Sequence, residues 1–499
     1  MSRLRARPWQ LVCLALVLLA ACPVRSKAAD APPRVYVVLW FDTEDYLLPA
    51  SDDAALRVAN FLTKEGVRAT FKVVGEKART LERRKRQDVI DALKKHEIGY
   101  HSNYHSVQPT PAMYLRDLGW DEGVAEFDRR ERPGFDDVKR VFGQAPTCYG
   151  QPGSSWGPQS FGAMRKWGMP VYLDAGSHVR LDDKPHYYCG VLTLYRLAHT
   201  LRADLNRPEK LQEAEDRFLE ARQKLLAEGG GVVSIFYHPC EFVHKEFWDG
   251  VNFRNGANPP REQWKRPAAK TPEESKVSYG VFEDYIRFIK RFPEVRFVTA
   301  SEAAKLYRDR ARGRKFTRAE VKEIAAAVGE DVTFQKRGGL ALSPAEVLAL
   351  LNDFVAADGP EAVALGRPPY GPCNPSPALT EPVTADWSQF ARTAADVRDF
   401  LQKQGRVPST VWLGSVGVPP EAYLAALGRV AAALADGKPA PKAMELRPAK
   451  LAAAKYVADD DPRLWGWVIF PRGFRAPALM ALAKRQAWTI KPAILDRAE

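Results

Sequence analysis

Cysteine is scarce in this sequence, with six among 499 residues and none at C-x-x-C spacing, which excludes a zinc ribbon or a thioredoxin-type redox motif. Histidine is also scarce, only eight in all, so any grouping of them carries information. Basic residues are not interleaved with stacking aromatics in any basic motif, so the net charge of +13 gives no support to nucleic acid as a partner. The apolar run Leu11–Ala21 is too short to cross a bilayer as a mature helix.

Preceded by Arg3, Arg5 and Arg7, that run reads instead as a secretion signal within residues 1–28. Two processing outcomes fit. Leu19-Ala20-Ala21-Cys22 resembles the lipobox of bacterial lipoproteins, which implies membrane attachment through a lipidated Cys22; ordinary cleavage after Ala28 is the alternative. Both predict an exported protein, whether periplasmic, a membrane-anchored lipoprotein or extracellular. Cys148, Cys189, Cys240 and Cys373 would then stand where a disulfide is permitted, though nothing in the sequence pairs them. The basic excess that survives processing suits an anionic envelope polymer or a membrane surface, and equally plain solubility.

A chain of this length and 45% hydrophobic content predicts two domains. From residue 32 to 310, short β-rich runs alternate with helical stretches, the pattern of an α/β fold with a mostly parallel sheet or barrel. Val35–Phe41 and Val232–Tyr237 are nearly unbroken apolar runs, expected of strands covered on both faces. Residues 311–499 change character. They are alanine-rich, with helices expected at Arg318–Val328, Pro344–Ala357, Ala391–Gln404 and Pro420–Ala435, and predict a second, mainly helical C-terminal domain. Within it Val397–Leu427 loosely resembles pseudomurein-binding repeats, which implies an envelope- or glycan-binding role.

Ionisable residues stand directly after three expected strands: Asp42, Glu44 and Asp45, then His101 and His105, then His238. In parallel barrels the carboxyl ends of strands converge on one mouth, so these groups can share a site. His101 and His105 are four apart, close enough on one turn or a tight loop to reach a single ion. Two imidazoles and a carboxylate leave positions open on a divalent ion, the arrangement of hydrolytic metal chemistry.

Three segments carry a family resemblance: Phe41-Asp42-Thr43-Glu44-Asp45, His101-Ser102-Asn103-Tyr104-His105, and Ile235-Phe236-Tyr237-His238-Pro239, with Val295–Thr299 as a closing strand. In this order they resemble the polysaccharide deacetylase, or NodB-homology, family over about residues 34–307. The resemblance implies a distorted (β/α) barrel that removes acetyl groups from a cell-envelope or extracellular carbohydrate polymer, such as an N-acetylated polysaccharide or peptidoglycan. It implies a divalent ion, zinc with nickel or cobalt as alternatives, held by His101, His105 and either Glu44 or Asp45. Asp42 is the expected base and His238 the expected acid.

One departure stands out. The family's Arg-x-Pro-x-Gly segment aligns with Gly150-Gln151-Pro152-Gly153-Ser154, which puts glycine where arginine orients the catalytic aspartate. Asp174, after Val171-Tyr172-Leu173, stands near another polar strand-end motif of the family. Loss of the arginine also admits a catalytically altered glycan-binding protein. A serine hydrolase using Ser155 is the other alternative, because Gly153-Ser154-Ser155-Trp156-Gly157 satisfies G-x-S-x-G, although Pro152 and Pro158 oppose the nucleophile-elbow geometry. Trp156, Tyr237, Phe242 and Trp248 are candidate sugar platforms.

Overall fold

The computed structural model describes residues 32–496. The expected secretion signal and Cys22 lie outside the described residues. Among these residues no helix is long and apolar enough to cross a membrane.

The barrel begins with β1 (Val35–Thr43), buried at every position, as its unbroken apolar run requires. It pairs in parallel with β9 (Gly231–Tyr237) along one edge. Its other edge is shared: Val35–Val38 meet β10 (Val295–Val298), and Trp40–Thr43 meet β2 (Thr70–Val73). Beyond β2 follow β3 (Glu97–Tyr100), β4 (Cys148–Tyr149), β5 (Val171–Asp174) and β7 (Val191–Tyr195), all parallel. Antiparallel β6 (His186–Tyr188) comes next, and short β8 (Thr200–Leu201) lies on the far side of β9. The two ends of this 11-stranded sheet are not paired with each other, so it curls into an incompletely closed, distorted (β/α) barrel. Because β1, β2, β3, β4, β5 and β9 run parallel, the residues that follow them emerge at one end.

Two elements differ from the pattern legible in the sequence. Helix Trp120–Phe142 contains Pro133 and Gly134, a pair that reads as a breaker. There Gly134 lets helix Gly75–Arg83 approach: a β-carbon on Gly75 would lie 2.6 Å from the Gly134 Cα. Ser51, a residue type favoured at helix N-caps, lies instead inside helix Pro49–Lys64, which begins two residues earlier.

A second hydrophobic core gathers Ile324, Leu351, Phe390, Tyr423 and Leu427 from helices Arg318–Ala326, Pro344–Ala356, Trp387–Gln404 and Pro420–Ala435, together with Phe316 from the short strand Lys315–Thr317. Ser343 and Thr317 open two of these helices by capping boxes with Glu346 and Glu320. The chain then returns to the first core. Val457, Trp465, Phe470, Leu479 and Ile490 pack into the barrel's own cluster, and Lys491–Pro492 pairs antiparallel with β6. Cys148, Cys189, Cys240 and Cys373 are free thiols.

Candidate functional site

The parallel strands deliver Asp42, Glu44, His101 and His238 to one cavity of about 450 Å³. Asp42 is the penultimate residue of β1, His101 follows β3 and His238 follows β9. His101 to His105 form a tight loop rather than a helical turn, with Ser102 and His105 at φ of 68° and 57°. Left-handed backbone at non-glycine residues costs energy and is held by its surroundings. Buried Glu131 supplies part of that support, accepting from the Asn103 amide at 2.7 Å and the Tyr100 hydroxyl at 2.8 Å.

Both imidazoles turn Nε2 toward Glu44. Glu44 Oε2 is 2.8 Å from His105 Nε2 and 3.6 Å from His101 Nε2. Their other nitrogens are engaged elsewhere, His101 Nδ1 with the Gly150 carbonyl at 3.0 Å and His105 Nδ1 with Ser106 Oγ at 2.7 Å. Such outer contacts fix ring orientation and leave the facing nitrogens for a ligand. Burial opposes the charge on Glu44, but His105, His238 and His101 outweigh it and hold its carboxyl well below the usual range.

Asp45 faces the other way. Its Oδ1 accepts from the amides of Leu47 and Leu48 at 2.8 and 3.2 Å, and its Oδ2 accepts from the Ser51 hydroxyl. The extra residue in Asp42-Thr43-Glu44-Asp45 thus serves the start of helix Pro49–Lys64. Of the two carboxylates that the sequence leaves open, Glu44 alone meets the imidazoles.

The missing arginine has a counterpart that the sequence reading overlooked. Lys72, fully buried in β2, donates to Leu173 O and sits 2.9 Å from both Asp42 Oδ1 and Asp174 Oδ2. A β-carbon at Gly150 would lie 2.1 Å from Lys72 Nζ and 2.5 Å from Asp174 Oδ2, so the glycine is what admits this pair. One cation serves two carboxylates. Burial opposes ionisation of Asp42, yet His101, Lys72 and His238 together lower its pKa; Asp174 is raised, because burial there exceeds the pull of Lys72.

His238 Nε2 lies 3.6 Å from Asp42 Oδ2, while Nδ1 meets Glu241 Oε2 at 3.2 Å. Burial works against the imidazolium, but Glu44, Glu241 and Asp42 outweigh it and push His238 up to about 9. Glu241 is steadied in turn by Arg202 at 2.8 Å.

Trp156, Tyr237, Phe242 and Trp248 are buried core residues, not walls of this cavity. The aromatic walls are Trp40, Phe236, Phe247 and Trp467. Trp467 comes from the returning C-terminal stretch. Its indole donates to Asp249 Oδ2 at 2.7 Å and meets the His105 ring edge-on at 5.2 Å. Gly153 makes room for it, since a β-carbon there would lie 2.1 Å from the indole. Nothing in the local sequence joins Trp467 to position 105, whereas a lysine in the buried strand Thr70–Val73 was a readable signal.

The serine-hydrolase alternative does not survive. Ser155 Oγ is buried, donates to Thr110 Oγ1 at 2.8 Å and accepts from the Ala112 amide at 2.8 Å, and no histidine among the described residues bonds it. Strand β4 has already ended at Tyr149, so no nucleophile elbow forms.

No protein-family model and no curated protein matches this sequence. Among solved structures it is similar to a protein of Mycobacterium smegmatis provisionally described as a polysaccharide deacetylase, at 14% identity and TM-score 0.36, covering 56% of this chain and 91% of that one. It is also similar to Puue allantoinase, at 14% identity and TM-score 0.34, over 56% of this chain and 91% of that one. A third is a family 4 carbohydrate esterase from Streptomyces lividans in complex with acetate, at 17% identity and TM-score 0.27, over 50% of this chain and 88% of that one.

Proposed function

We propose that the chain is an exported, metal-dependent hydrolase that removes acetyl groups from an envelope or extracellular carbohydrate polymer. The observation that carries this reading is the convergence of Glu44, His101 and His105, whose ligand atoms lie within 4.8 Å of one another. The donor set fits a divalent ion: buried His105 Nε2 and His101 Nε2 both face the same Glu44 oxygen, at 2.8 and 3.6 Å, and two nitrogens with one carboxylate oxygen suit zinc, nickel or cobalt. An ion held there would act as a Lewis acid on the acetyl carbonyl and favour attack by water near neutral pH.

The remaining roles belong to the chain itself. Asp42, kept ionised by Lys72 and the neighbouring imidazoles, accepts the proton of the attacking water. Lys72 fixes that carboxylate, as the arginine does in the family this sequence resembles. His238, held protonated by its carboxylate neighbours and oriented by Glu241, donates to the leaving amine. Phe236, Phe247 and Trp467 give the cavity flat apolar faces suited to sugar rings. The polymer's location outside the cytoplasm rests on the secretion signal in the sequence.

Metal analysis of the purified chain, combined with acetate release from an N-acetylated oligosaccharide, tests the proposal. Near-stoichiometric divalent ion and chelator-sensitive acetate release are expected. Full turnover after complete removal of metal would refute it.

A further inference from the structure

The largest outward-facing aromatic surface among the described residues lies far along the chain from the catalytic strands. Trp412 is 60% exposed, on a hairpin formed by Val411–Leu413 and Val416–Val418. Its cross-strand partner is Gly417, and a β-carbon there would come within 3.1 Å of Trp412 Cζ3. The indole therefore lies across a bare backbone, supported on one side and open on the other.

Beside it runs a groove of about 440 Å³ between the hairpin and helix Trp387–Gln404. Phe400, half-buried on that helix, lines this groove and also a neighbouring one of about 500 Å³. It belongs to none of the hydrophobic cores, so packing does not account for it. Asn374 and Ser409 also line both grooves, which makes them one continuous trough with an aromatic at its end and another midway.

The lining mixes hydrogen-bonding side chains, Thr410 and Asp396 among them, with the apolar Val397, Pro408 and Val411. Flat rings together with hydrogen-bonding groups match a sugar chain, whose rings offer C–H faces and whose rims offer hydroxyls. A protein partner's hot spot would call for a closed apolar patch instead. The charge selects further. Arg406 is the cation of the trough and is committed to Asp121 at 2.7 Å, while Glu122 and Asp396 carry no ion pair among the described residues. An anionic polymer would meet uncompensated carboxylates here.

We infer that this trough is a second glycan-binding site, separate from the catalytic cavity and taking an uncharged or amine-bearing polysaccharide strand. It shares no lining residue with that cavity. It would hold the chain on its polymer while the barrel works on acetyl groups within reach. Binding is read without turnover, so the inference stands or falls apart from the catalytic reading.

The test is affinity electrophoresis of the full chain in gels containing glycol chitin, xylan or anionic alginate. The wild type should be retained by glycol chitin or xylan, and Trp412→Ala should weaken that retention by about tenfold, the scale of a lost aromatic platform. Phe400→Ala should weaken it less, and Trp412→Phe should keep most of it. Any retardation in alginate should be the same for all variants. Acetate release from a short soluble oligosaccharide should be unchanged in Trp412→Ala, which also reports correct folding. Absence of retention on both glycol chitin and xylan, or equal retention of wild type and Trp412→Ala, would overturn the inference.

Discussion

A buried lysine between two carboxylates occurs twice in this molecule, and the two settings have opposite consequences. At the barrel mouth Lys72 lies between Asp42 and Asp174, at 2.9 Å from each. Where the returning C-terminal segment meets the accessory helices, Lys491 lies between Asp309 and Glu346, at 2.8 and 2.7 Å. Both lysines are almost wholly buried. Around Lys72, however, Asp42 also faces His101 and His238 and borders a cavity, whereas the partners of Lys491 are its two carboxylates and the Tyr187 ring. A buried charge cluster is thus not chemistry in itself. It becomes so where one member keeps an unfilled valence toward space that a substrate can enter.

The largest effect should come from the imidazoles that distinguish the first setting. His101→Ala and His105→Ala are expected to lose bound metal and to bring acetate release to background, whereas Asp42→Asn keeps the metal and loses about 10²- to 10⁴-fold in rate. Metal content and turnover measured on the same preparations decide between these patterns.

Next come the two lysines. Removing one partner of a buried pair costs about 3–5 kcal/mol, so Lys72→Met and Lys491→Met should both lower urea stability by that order. Only Lys72→Met should also depress kcat, since it frees Asp42. Equal kcat losses in the two variants would erase the distinction drawn here.

The smallest expected effect is at the cavity wall. Trp467→Ala removes a stacking face but no ionisable group, and should raise KM about tenfold or less with kcat nearly kept. A collapse of kcat instead would mean that the indole positions His105 rather than the sugar.

These outcomes bear on residues that were unequally legible in the sequence. His101 and His238 could be found because each directly follows a buried strand, and strand ends converge whatever the loops do; His105 could be found from its spacing of four residues beyond His101. The choice between Glu44 and Asp45 could not be made, because it depends on which side chain is taken by the amides of Leu47 and Leu48. Lys72 was visible as a charge inside a buried strand, but its partner at Gly150 emerges only from the pairing of β2, β3 and β4. Helix Trp120–Phe142 was hidden by Pro133 and Gly134, whose local preferences are overruled by close packing against Gly75. Trp467 lay beyond local reading altogether, since it meets its neighbours through tertiary contacts across several hundred residues.

That last contact limits how the molecule can be taken apart. Severing the chain after Tyr307 would strip away the Lys491–Pro492 strand beside β6 and the indole beside His105, leaving apolar patches of the first core bare to water. The barrel is therefore no detachable cassette: its finishing wall arrives from a stretch that follows the accessory helices.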